Sequence, residues 1–265
     1  MGGTFIVKYK VNSLGESCHR PNDYYDKKVS VAYDTVDYDP DADVKVCVQN
    51  EPPSVKSWTT QMILDHSDIF DLIISWNEDL NHLPSFRRTI IGDCWIDWDT
   101  FKSQKTKQIS FITSDKAWAP GHKVRLDVWE GLEDVDSLNG FKLIKHKSPP
   151  MMPNKNFIFE DSKYSIAIEN QQLPNMVTEK IIDCFASKTI PIYWGAPNIG
   201  DYFNMGAVLT FNTLYELKDI LDNLDESYYD DNIDIVEENF EKSKQYWDYY
   251  KMRKLIIEDY ISKME

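Results

Sequence analysis

The feature that most constrains the fold is a strand, helix and strand pattern within residues 163–203. Residues 164–168 form a short apolar run rich in β-forming residues, and the polar residues after it predict a loop. Thr178 then stands at the N-cap position of a predicted helix with an apolar face. Residues 189–194 form a second apolar run, which ends at Gly195. This pattern predicts two parallel strands of one sheet joined by a helix.

The N-terminus of that helix has the properties of a phosphate-binding site. Its first backbone N–H groups have no partner within the helix, and its dipole attracts an anion. Lys180 adds a full positive charge, while Glu179 and Asn170 can hydrogen-bond the hydroxyls of a sugar or ribose. We therefore predict a phosphorylated, hydroxyl-rich ligand. The alternative is an ordinary surface helix on which Glu179 and Lys180 are solvated.

Length and charge narrow the class of protein. A chain of 265 residues can form one large or two small domains, each with its own core. Aromatic residues make up 13% of the chain, which indicates a globular protein rather than a disordered one. The formal net charge of −15 argues against a nucleic-acid backbone or an anionic membrane as the main partner. Lys180 and Arg125 could still line a local basic pocket.

The cysteines are scattered and lack the spacing of metal ligands. They are Cys18, Cys47, Cys94 and Cys184. We expect free thiols and a reducing compartment, with one disulfide as the alternative. No apolar run has the length of a transmembrane helix, and the N-terminus lacks the pattern of a signal peptide. We therefore expect no transmembrane segment.

Three blocks of sequence carry a family resemblance. They are residues 167–170 (AIEN), 177–181 (VTEKI) and 190–197 (IPIYWGAP). Their order and spacing resemble the donor-binding signature of the family 10 α-1,3/1,4-fucosyltransferases, and most of all its bacterial members. The resemblance is good over residues 105–210 and loose over the residues before them.

The resemblance implies an α/β fold of the GT-B type, with two facing Rossmann-like domains. The polar, lysine-rich residues 100–107 predict a linker between two domains. The N-terminal, acceptor-side domain would span residues 1–104, and the C-terminal domain for the nucleotide-sugar donor would span residues 105–265. The periodicity of residues 233–264 predicts a long terminal helix, which in a GT-B fold can cross back onto the first domain. Further predictions are strands at residues 4–11, 29–33, 44–48, 108–113 and 207–211, and a family-like turn at residues 135–140.

The resemblance also implies which residues bind the donor. Arg125, on an amphipathic segment that follows the strand at residues 108–113, would bind the pyrophosphate, because a guanidinium can meet two phosphate oxygens at once. His122 and Lys123 are the alternatives in the same region. The predicted donor-binding residues are Ser114, Arg125, Asn170, Glu179 and Lys180.

Glu51 is the predicted catalytic base. It follows the strand at residues 44–48 and precedes Pro52 and Pro53, and open α/β sheets bind ligands at the carboxyl ends of their strands. The family has an Asn-Glu followed shortly by Pro at this position, and the resemblance implies that Glu51 takes the proton of the acceptor hydroxyl. The alternative is a loop glutamate that caps a turn.

Two Asp-x-Asp sequences superficially match the motif of metal-dependent GT-A glycosyltransferases. Residues 39–41 contain a proline and predict a solvated turn, and residues 97–99 predict a surface segment. The resembled family does not depend on this motif, so we predict no cofactor and no required metal. The alternative is a GT-A enzyme with Asp97 and Asp99 at its centre.

Residues and resemblance together predict an inverting glycosyltransferase that moves L-fucose from GDP-fucose to a hydroxyl of a glycan. Its partners would be the donor and the glycan acceptor, and it would be a soluble, cytoplasmic enzyme of a bacterium or virus. One alternative is a transferase of the same fold with another nucleotide sugar or an unusual acceptor. The other is a non-catalytic carbohydrate-binding protein whose aromatic residues stack on sugars.

Overall fold

In a computed structural model the chain divides into two compact units. The first comprises residues 1–91 and 249–265, and the second comprises residues 92–248. The structure describes residues 8–9, 27–132, 139–149 and 152–264. The predicted strand at residues 4–11 lies outside the described residues except for residues 8–9, and the predicted turn at residues 135–140 lies outside them except for its last two residues.

The first unit is built on a parallel sheet, which in the described residues has the strand order β1-β2-β3-β4-β5. Its strands are β1 (Lys8–Tyr9), β2 (Val29–Tyr33), β3 (Val44–Val48), β4 (Leu72–Ser75) and β5 (Phe86–Arg88). Helix α1 (Thr59–Asp65) lies between β3 and β4 in the chain. The predicted strands at residues 29–33 and 44–48 are confirmed.

Both faces of this sheet are apolar, as is typical of a parallel sheet that is covered on both sides. Val31 and Val46, which lie opposite each other in β2 and β3, belong to one buried cluster. Cys47 and Ile73 point to the other face and pack with Ile63 of α1. These near-continuous runs of apolar residues explain why the strands could be predicted from the sequence.

The second unit also contains a parallel sheet, with the order β10-β9-β8-β6-β7 among the described residues. Its strands are β6 (Thr106–Thr113), β7 (Lys142–Lys147), β8 (Ser162–Ile168), β9 (Ile190–Trp194) and β10 (Leu209–Thr210). Its helices are α2 (Pro120–Gly131), α3 (Asn156–Phe159), α4 (Glu179–Ala186), α5 (Leu214–Asp222), α6 (Tyr228–Asp231) and α7 (Ile233–Ser243). The strand predicted at residues 207–211 is shorter, because Met205–Ala207 forms a 3₁₀ turn.

The predicted strand, helix and strand pattern is confirmed as β8, α4 and β9. The two strands are parallel neighbours, with Ala167 opposite Tyr193. Thr178 is the N-cap of α4, and its side chain accepts a hydrogen bond from the backbone N–H of Lys180. The carboxyl end of β8 and the N-terminus of α4 are therefore joined by a single loop.

Residues 92–104 belong to the second unit, although the predicted boundary placed them in the first. Gly92 forms a backbone bridge with Thr178, and the backbone N–H of Trp95 donates to Asp183 Oδ1 over 2.6 Å. The backbone N–H of Asp97 donates to Asn156 Oδ1 over 2.9 Å. These contacts join residues far apart in the sequence, so the polar composition of residues 100–107 placed the predicted boundary too far along the chain.

The terminal helix predicted at residues 233–264 is interrupted. Helix α7 ends at Ser243, a 3₁₀ turn follows at Lys244–Tyr246, and a further helix, α8, spans Tyr249–Ser262. Helix α8 belongs to the first unit, where Ile257 packs in the core. None of the described helices is long and apolar enough to cross a lipid bilayer.

Candidate functional site

A buried carboxylate attaches the N-terminus of α4 to the end of β8. Glu169 directly follows β8 and is completely buried. Its Oε1 accepts a hydrogen bond from the backbone N–H of Thr178 over 3.0 Å, and its Oε2 accepts one from Thr178 Oγ1 over 2.7 Å. Burial raises the pKa of Glu169, while Lys180 Nζ, 3.6 Å from Oε2, acts in the opposite direction. The helix N-terminus is therefore held rigidly beside the strand end.

Lys180 and Glu179 form an ion pair on the first turn of α4. Lys180 Nζ lies 2.9 Å from Glu179 Oε1 and 3.1 Å from Thr178 Oγ1. Burial raises the pKa of Glu179, but the attraction of Lys180 and Lys155 outweighs it and lowers this pKa to about 2. Glu179 is consequently a charged acceptor at neutral pH, and both side chains remain partly exposed to a ligand.

Arg125 reaches from α2 to the same strand end. Its guanidinium is buried and donates from Nε and Nη2 to the carbonyl oxygen of Ile168, over 3.0 and 2.5 Å. Nη2 also donates to Asn170 Oδ1 over 2.9 Å, so Arg125 orients the Asn170 side chain. Nη1 makes no hydrogen bond with the described residues. Arg125 thus has one fixed nitrogen left with which to bind an anion.

The two alternatives to Arg125 have different properties. His122 Nδ1 accepts a hydrogen bond from the backbone N–H of Ala119 over 3.1 Å, which closes the first turn of α2. Burial and the nearby cations, among them Arg125 and Lys180, lower the pKa of His122 to about 4. The imidazole is therefore neutral at pH 7 and supplies no charge to a phosphate. Lys123 is exposed on the same helix.

Ser114 directly follows β6, which is the neighbour of β8 in the sheet. Because the two strands are parallel, Ser114 and Glu169 lie at the same edge of the sheet. The structure therefore brings Arg125, Asn170, Glu179 and Lys180 to the edge at which β8 ends, with Ser114 on the adjacent strand. All five predicted donor-binding residues belong to the second unit.

Glu51 belongs to the first unit and lies in a loop after β3 whose backbone is well supported. Asp34 Oδ1 accepts hydrogen bonds from the backbone N–H groups of Asn50 and Glu51, over 2.7 and 3.3 Å. Asn50 is also held by Tyr249 Oη, which donates to its Oδ1 over 2.6 Å, and by Trp76 Nε1, which donates to its carbonyl oxygen. The Glu51 side chain is half-buried.

The two Asp-x-Asp sequences form turns. Asp97 Oδ1 accepts from the backbone N–H of Asp99 over 3.1 Å, and Asp97 Oδ2 accepts from Thr100 Oγ1 over 2.9 Å. Asp39 Oδ1 similarly accepts from the backbone N–H of Asp41. Among the described residues, no group of three or more histidine, cysteine, aspartate or glutamate side chains has the arrangement of a metal site. These aspartates cap their own turns.

The predicted free thiols are present at Cys47, Cys94 and Cys184, while Cys18 lies outside the described residues. Burial is the main cause that raises the pKa of each of the three thiols. They are protonated, unreactive groups at neutral pH.

Sequence reasoning missed several residues that organise this site. Glu169 was part of the AIEN block, but its burial and its bonds to Thr178 were not predicted. Lys155 comes from the irregular segment before α3, and its Nζ lies 2.7 Å from Asp183 Oδ2. One signal was available for Asp183, because it stands four residues after Glu179 among the buried apolar residues of α4. A carboxylate at such a position requires a buried partner.

The model of the family described as "Glycosyltransferase family 10 (fucosyltransferase) C-term" matches residues 102–254. This match covers more than half of the chain and includes the whole arrangement around β8 and α4. The chain belongs to glycosyltransferase family 10. The family resemblance predicted from the three sequence blocks is therefore confirmed.

A relative of this family 10 chain matches it over part of the sequence. It is 34% identical over 95 residues to the "Alpha-(1,3)-fucosyltransferase FucT" of Helicobacter pylori, which is 36% of this chain and 19% of that protein. The matched part is thus about a fifth of the relative's length.

Solved structures resemble the family 10 chain at low sequence identity. An α1,3-fucosyltransferase crystal structure with GDP-fucose has a TM-score of 0.49 at 19% identity, covering 77% of this chain and 68% of the other. The structure of TarM has a TM-score of 0.51 at 10% identity, covering 88% of this chain and 54% of the other. The likeness to TarM and the two parallel sheets confirm the predicted α/β fold of the GT-B type.

Proposed function

We propose that this chain is an inverting glycosyltransferase that transfers L-fucose from GDP-fucose to a hydroxyl of a glycan acceptor, without a divalent metal. The cluster at the end of β8 is the observation that carries the proposal. There Arg125 and Lys180 supply positive charge, and Asn170 and Glu179 supply hydrogen-bonding groups, within the region that the family model matches. This combination of groups can bind both the phosphates and the hydroxyls of a nucleoside diphosphate sugar.

In the proposed reaction, Lys180, Arg125 and the N-terminus of α4 bind the diphosphate. They compensate the charge that develops as the bond between the fucose C1 and the phosphate oxygen breaks, and the electron pair leaves with GDP. Cations that are already in place do this without reorganisation, so side chains supply the charge for which other transferases use a metal. Glu179 and Asn170 hold hydroxyl groups of the nucleotide sugar.

Glu51 acts as the base in this proposal. Its carboxylate takes the proton of the acceptor hydroxyl, and the acceptor oxygen forms a bond to C1 on the face opposite the leaving diphosphate. The configuration at C1 is inverted because one displacement occurs. The support comes from the loop, in which Asp34 accepts the backbone N–H of Glu51 and Tyr249 donates to the side chain of the neighbouring Asn50.

A glycan acceptor fits the charge of the protein better than a nucleic acid does, since the chain has a formal net charge of −15. Free thiols at Cys47, Cys94 and Cys184 are compatible with a reducing compartment, and we propose the cytoplasm.

The test is calorimetric titration with GDP-fucose, GDP-mannose and UDP-glucose, with and without EDTA. We expect GDP-fucose to bind with an affinity that EDTA does not change. Lys180→Ala and Arg125→Ala should each lower the transfer rate on the order of 10²-fold. Lys188→Ala is the matched control, because Lys188 forms a partly exposed ion pair with Glu237.

The outcomes separate the alternatives. Binding of a different nucleotide sugar would contradict fucose as the donor sugar, while the proposed donor-binding site would still stand. Loss of binding or transfer in EDTA would overturn metal independence. Glycan binding without donor binding would support a carbohydrate-binding protein instead. The anomeric configuration of the product, read by NMR, tests inversion.

A further inference from the structure

A buried lysine outside the predicted site lies beside α4. Lys155 precedes α3, and its side chain is 10% exposed. Its Nζ is 2.7 Å from Oδ2 of Asp183, whose side chain is completely buried. The other oxygen of this carboxylate, Oδ1, accepts the backbone N–H of Trp95 over 2.6 Å. The pair therefore has its charges matched and its carboxylate hydrogen-bonded on both sides.

The position of Lys155 is set by the chain around it. Its backbone N–H donates to the carbonyl oxygen of Trp95 over 2.8 Å, and its Nζ lies 4.8 Å from the centre of the Trp95 ring. Trp95 thus contacts both members of the buried pair. These contacts hold the Lys155 side chain in one conformation, so its ammonium group has a fixed position.

Lys155 also acts on the proposed donor site. Its Nζ lies 3.8 Å from Glu179 Oε1, the same oxygen that Lys180 Nζ contacts at 2.9 Å. Glu179 therefore stands between two ammonium groups. Opposite charges alternate in the order Asp183, Lys155, Glu179 and Lys180, and the buried carboxyl group of Glu169 lies beside Lys180.

The charges around Lys180 determine how strongly it attracts an anionic ligand. Glu169 and Glu179 both lie near Lys180, so its ammonium group shares its attraction between two carboxyl groups. Lys155 offsets part of the charge of Glu179, and so leaves Lys180 with more net attraction for a phosphate. Both ammonium groups contact Oε1 of Glu179, and the carboxylate retains lone pairs for ligand hydroxyls.

Burial lowers the pKa of Lys155, but the attraction of Asp183 and Glu179 is stronger and leaves this pKa raised. The ammonium form is therefore present over the whole neutral range of pH.

We propose that Lys155 is a positioning residue for the donor diphosphate, which it serves by holding and balancing Glu179 so that Lys180 can bind the phosphates. This inference rests on the proposed function, because it assumes a nucleoside diphosphate ligand at the N-terminus of α4. It gives a specific role to the irregular segment before α3.

The test compares GDP and guanosine, since guanosine lacks the phosphates. Lys155→Met removes the charge and keeps much of the side-chain volume, and Lys155→Arg restores a charge. We expect Lys155→Met to weaken GDP binding on the order of tenfold, with guanosine affinity almost unchanged, and Lys155→Arg to recover most of the loss. In transfer assays KM for the donor should rise while KM for the acceptor does not.

Two further variants separate positioning from folding. Lys155→Met combined with Asp183→Asn removes both buried charges, so no unpaired ion remains to unfold the protein, and GDP binding should still be weakened. Lys105→Met is the matched control. Lys105 is a buried lysine of the same unit whose Nζ donates to uncharged oxygens of Phe159, Ser162 and Thr189. Its loss should lower thermal stability and leave the GDP affinity of the folded protein unchanged.

A folded double variant that binds GDP as tightly as the wild type would overturn the role of Lys155 and leave the proposed function standing. Equal losses for GDP and guanosine would also overturn it, because a general distortion of the site predicts them. A wild-type protein that binds no GDP would overturn the proposed function, and this inference with it.

Discussion

Thr178 performs two tasks with one side chain. Its hydroxyl donates to the buried carboxylate of Glu169 over 2.7 Å and accepts the backbone N–H of Lys180 over 3.3 Å. An N-cap at the surface performs only the second task. Thr178 therefore couples the start of α4 to the end of β8, and the position of Lys180 depends on it.

Replacing this threonine tests the coupling. Thr178→Ala should lower the free energy of unfolding by about 2 to 4 kcal/mol, because both the cap and a hydrogen bond to a buried carboxyl group are lost. Urea denaturation measures the change. Thr213 is the matched control, since it caps α5 at the surface by accepting the backbone N–H of Glu216 over 3.1 Å. Thr213→Ala should cost about 1 kcal/mol, and equal losses in the two variants would contradict the coupling.

The backbone of helix α2 is in direct contact with the backbone that follows β8. Its second residue is Gly121, whose backbone N–H donates to the carbonyl oxygen of Asn170 over 2.9 Å. A Cβ atom at Gly121 would stand 1.7 Å from the carbonyl oxygen of Glu169, a distance that no side chain can occupy. This contact brings the guanidinium of Arg125 within reach of Ile168 and Asn170.

Gly121→Ala should therefore displace the whole first turn of α2. We expect a loss of about 3 kcal/mol in the free energy of unfolding, together with weaker GDP binding because Arg125 moves with the helix. Gly200→Ala is the control, because a methyl group at Gly200 would first meet Cγ of the flexible Met205 side chain, at 3.2 Å. Thermal melts and GDP titration measure both effects. A stable Gly121→Ala protein with native GDP affinity would contradict the close contact between α2 and the backbone after β8.

The first unit is formed by two segments of the chain that are far apart in the sequence. Helix α8 returns to it after the entire second unit has been completed, and Ile257 packs against the cluster that contains Val31 and Val46. Arg253 is buried on this helix and donates from Nη1 to the carbonyl oxygen of Ile91 over 3.0 Å. Its guanidinium also lies 3.6 Å from the centre of the Tyr249 ring.

Removing this arginine should loosen the first unit selectively. Arg253→Ala leaves buried carbonyl oxygens without a donor and opens a cavity, so we expect a loss of about 2 to 4 kcal/mol. Hydrogen exchange followed by mass spectrometry should show faster exchange in β2, β3 and β4, with β8 and β9 unchanged. Lys263→Ala is the control, since Lys263 forms a surface ion pair with Asp259. It should change stability by less than about 0.5 kcal/mol.

Local patterns in the chain predicted the elements that position the candidate site. The apolar runs of β8 and β9, the cap at Thr178 and the amphipathic face of α4 depend on neighbours within a few residues, so they could be identified without a structure. Arg125, Asn170, Glu179 and Lys180 were predicted to lie near one another because of their family resemblance and their places at element ends. The structure groups them at the end of β8.

Contacts between distant parts of the chain could not be predicted in this way. The domain boundary predicted from the polar residues 100–107 misses the hydrogen bond between Trp95 and Asp183, which lies far along the sequence. Lys155 looks like one of many surface lysines until Asp183 and Glu179 are placed beside it. The sequence alone determined β8, α4 and β9 and the order in which they follow one another, because hydrogen bonding and apolar periodicity within an element are local. The tertiary structure alone decided which charges are buried and which charge faces each of them, because burial depends on segments that meet only after folding.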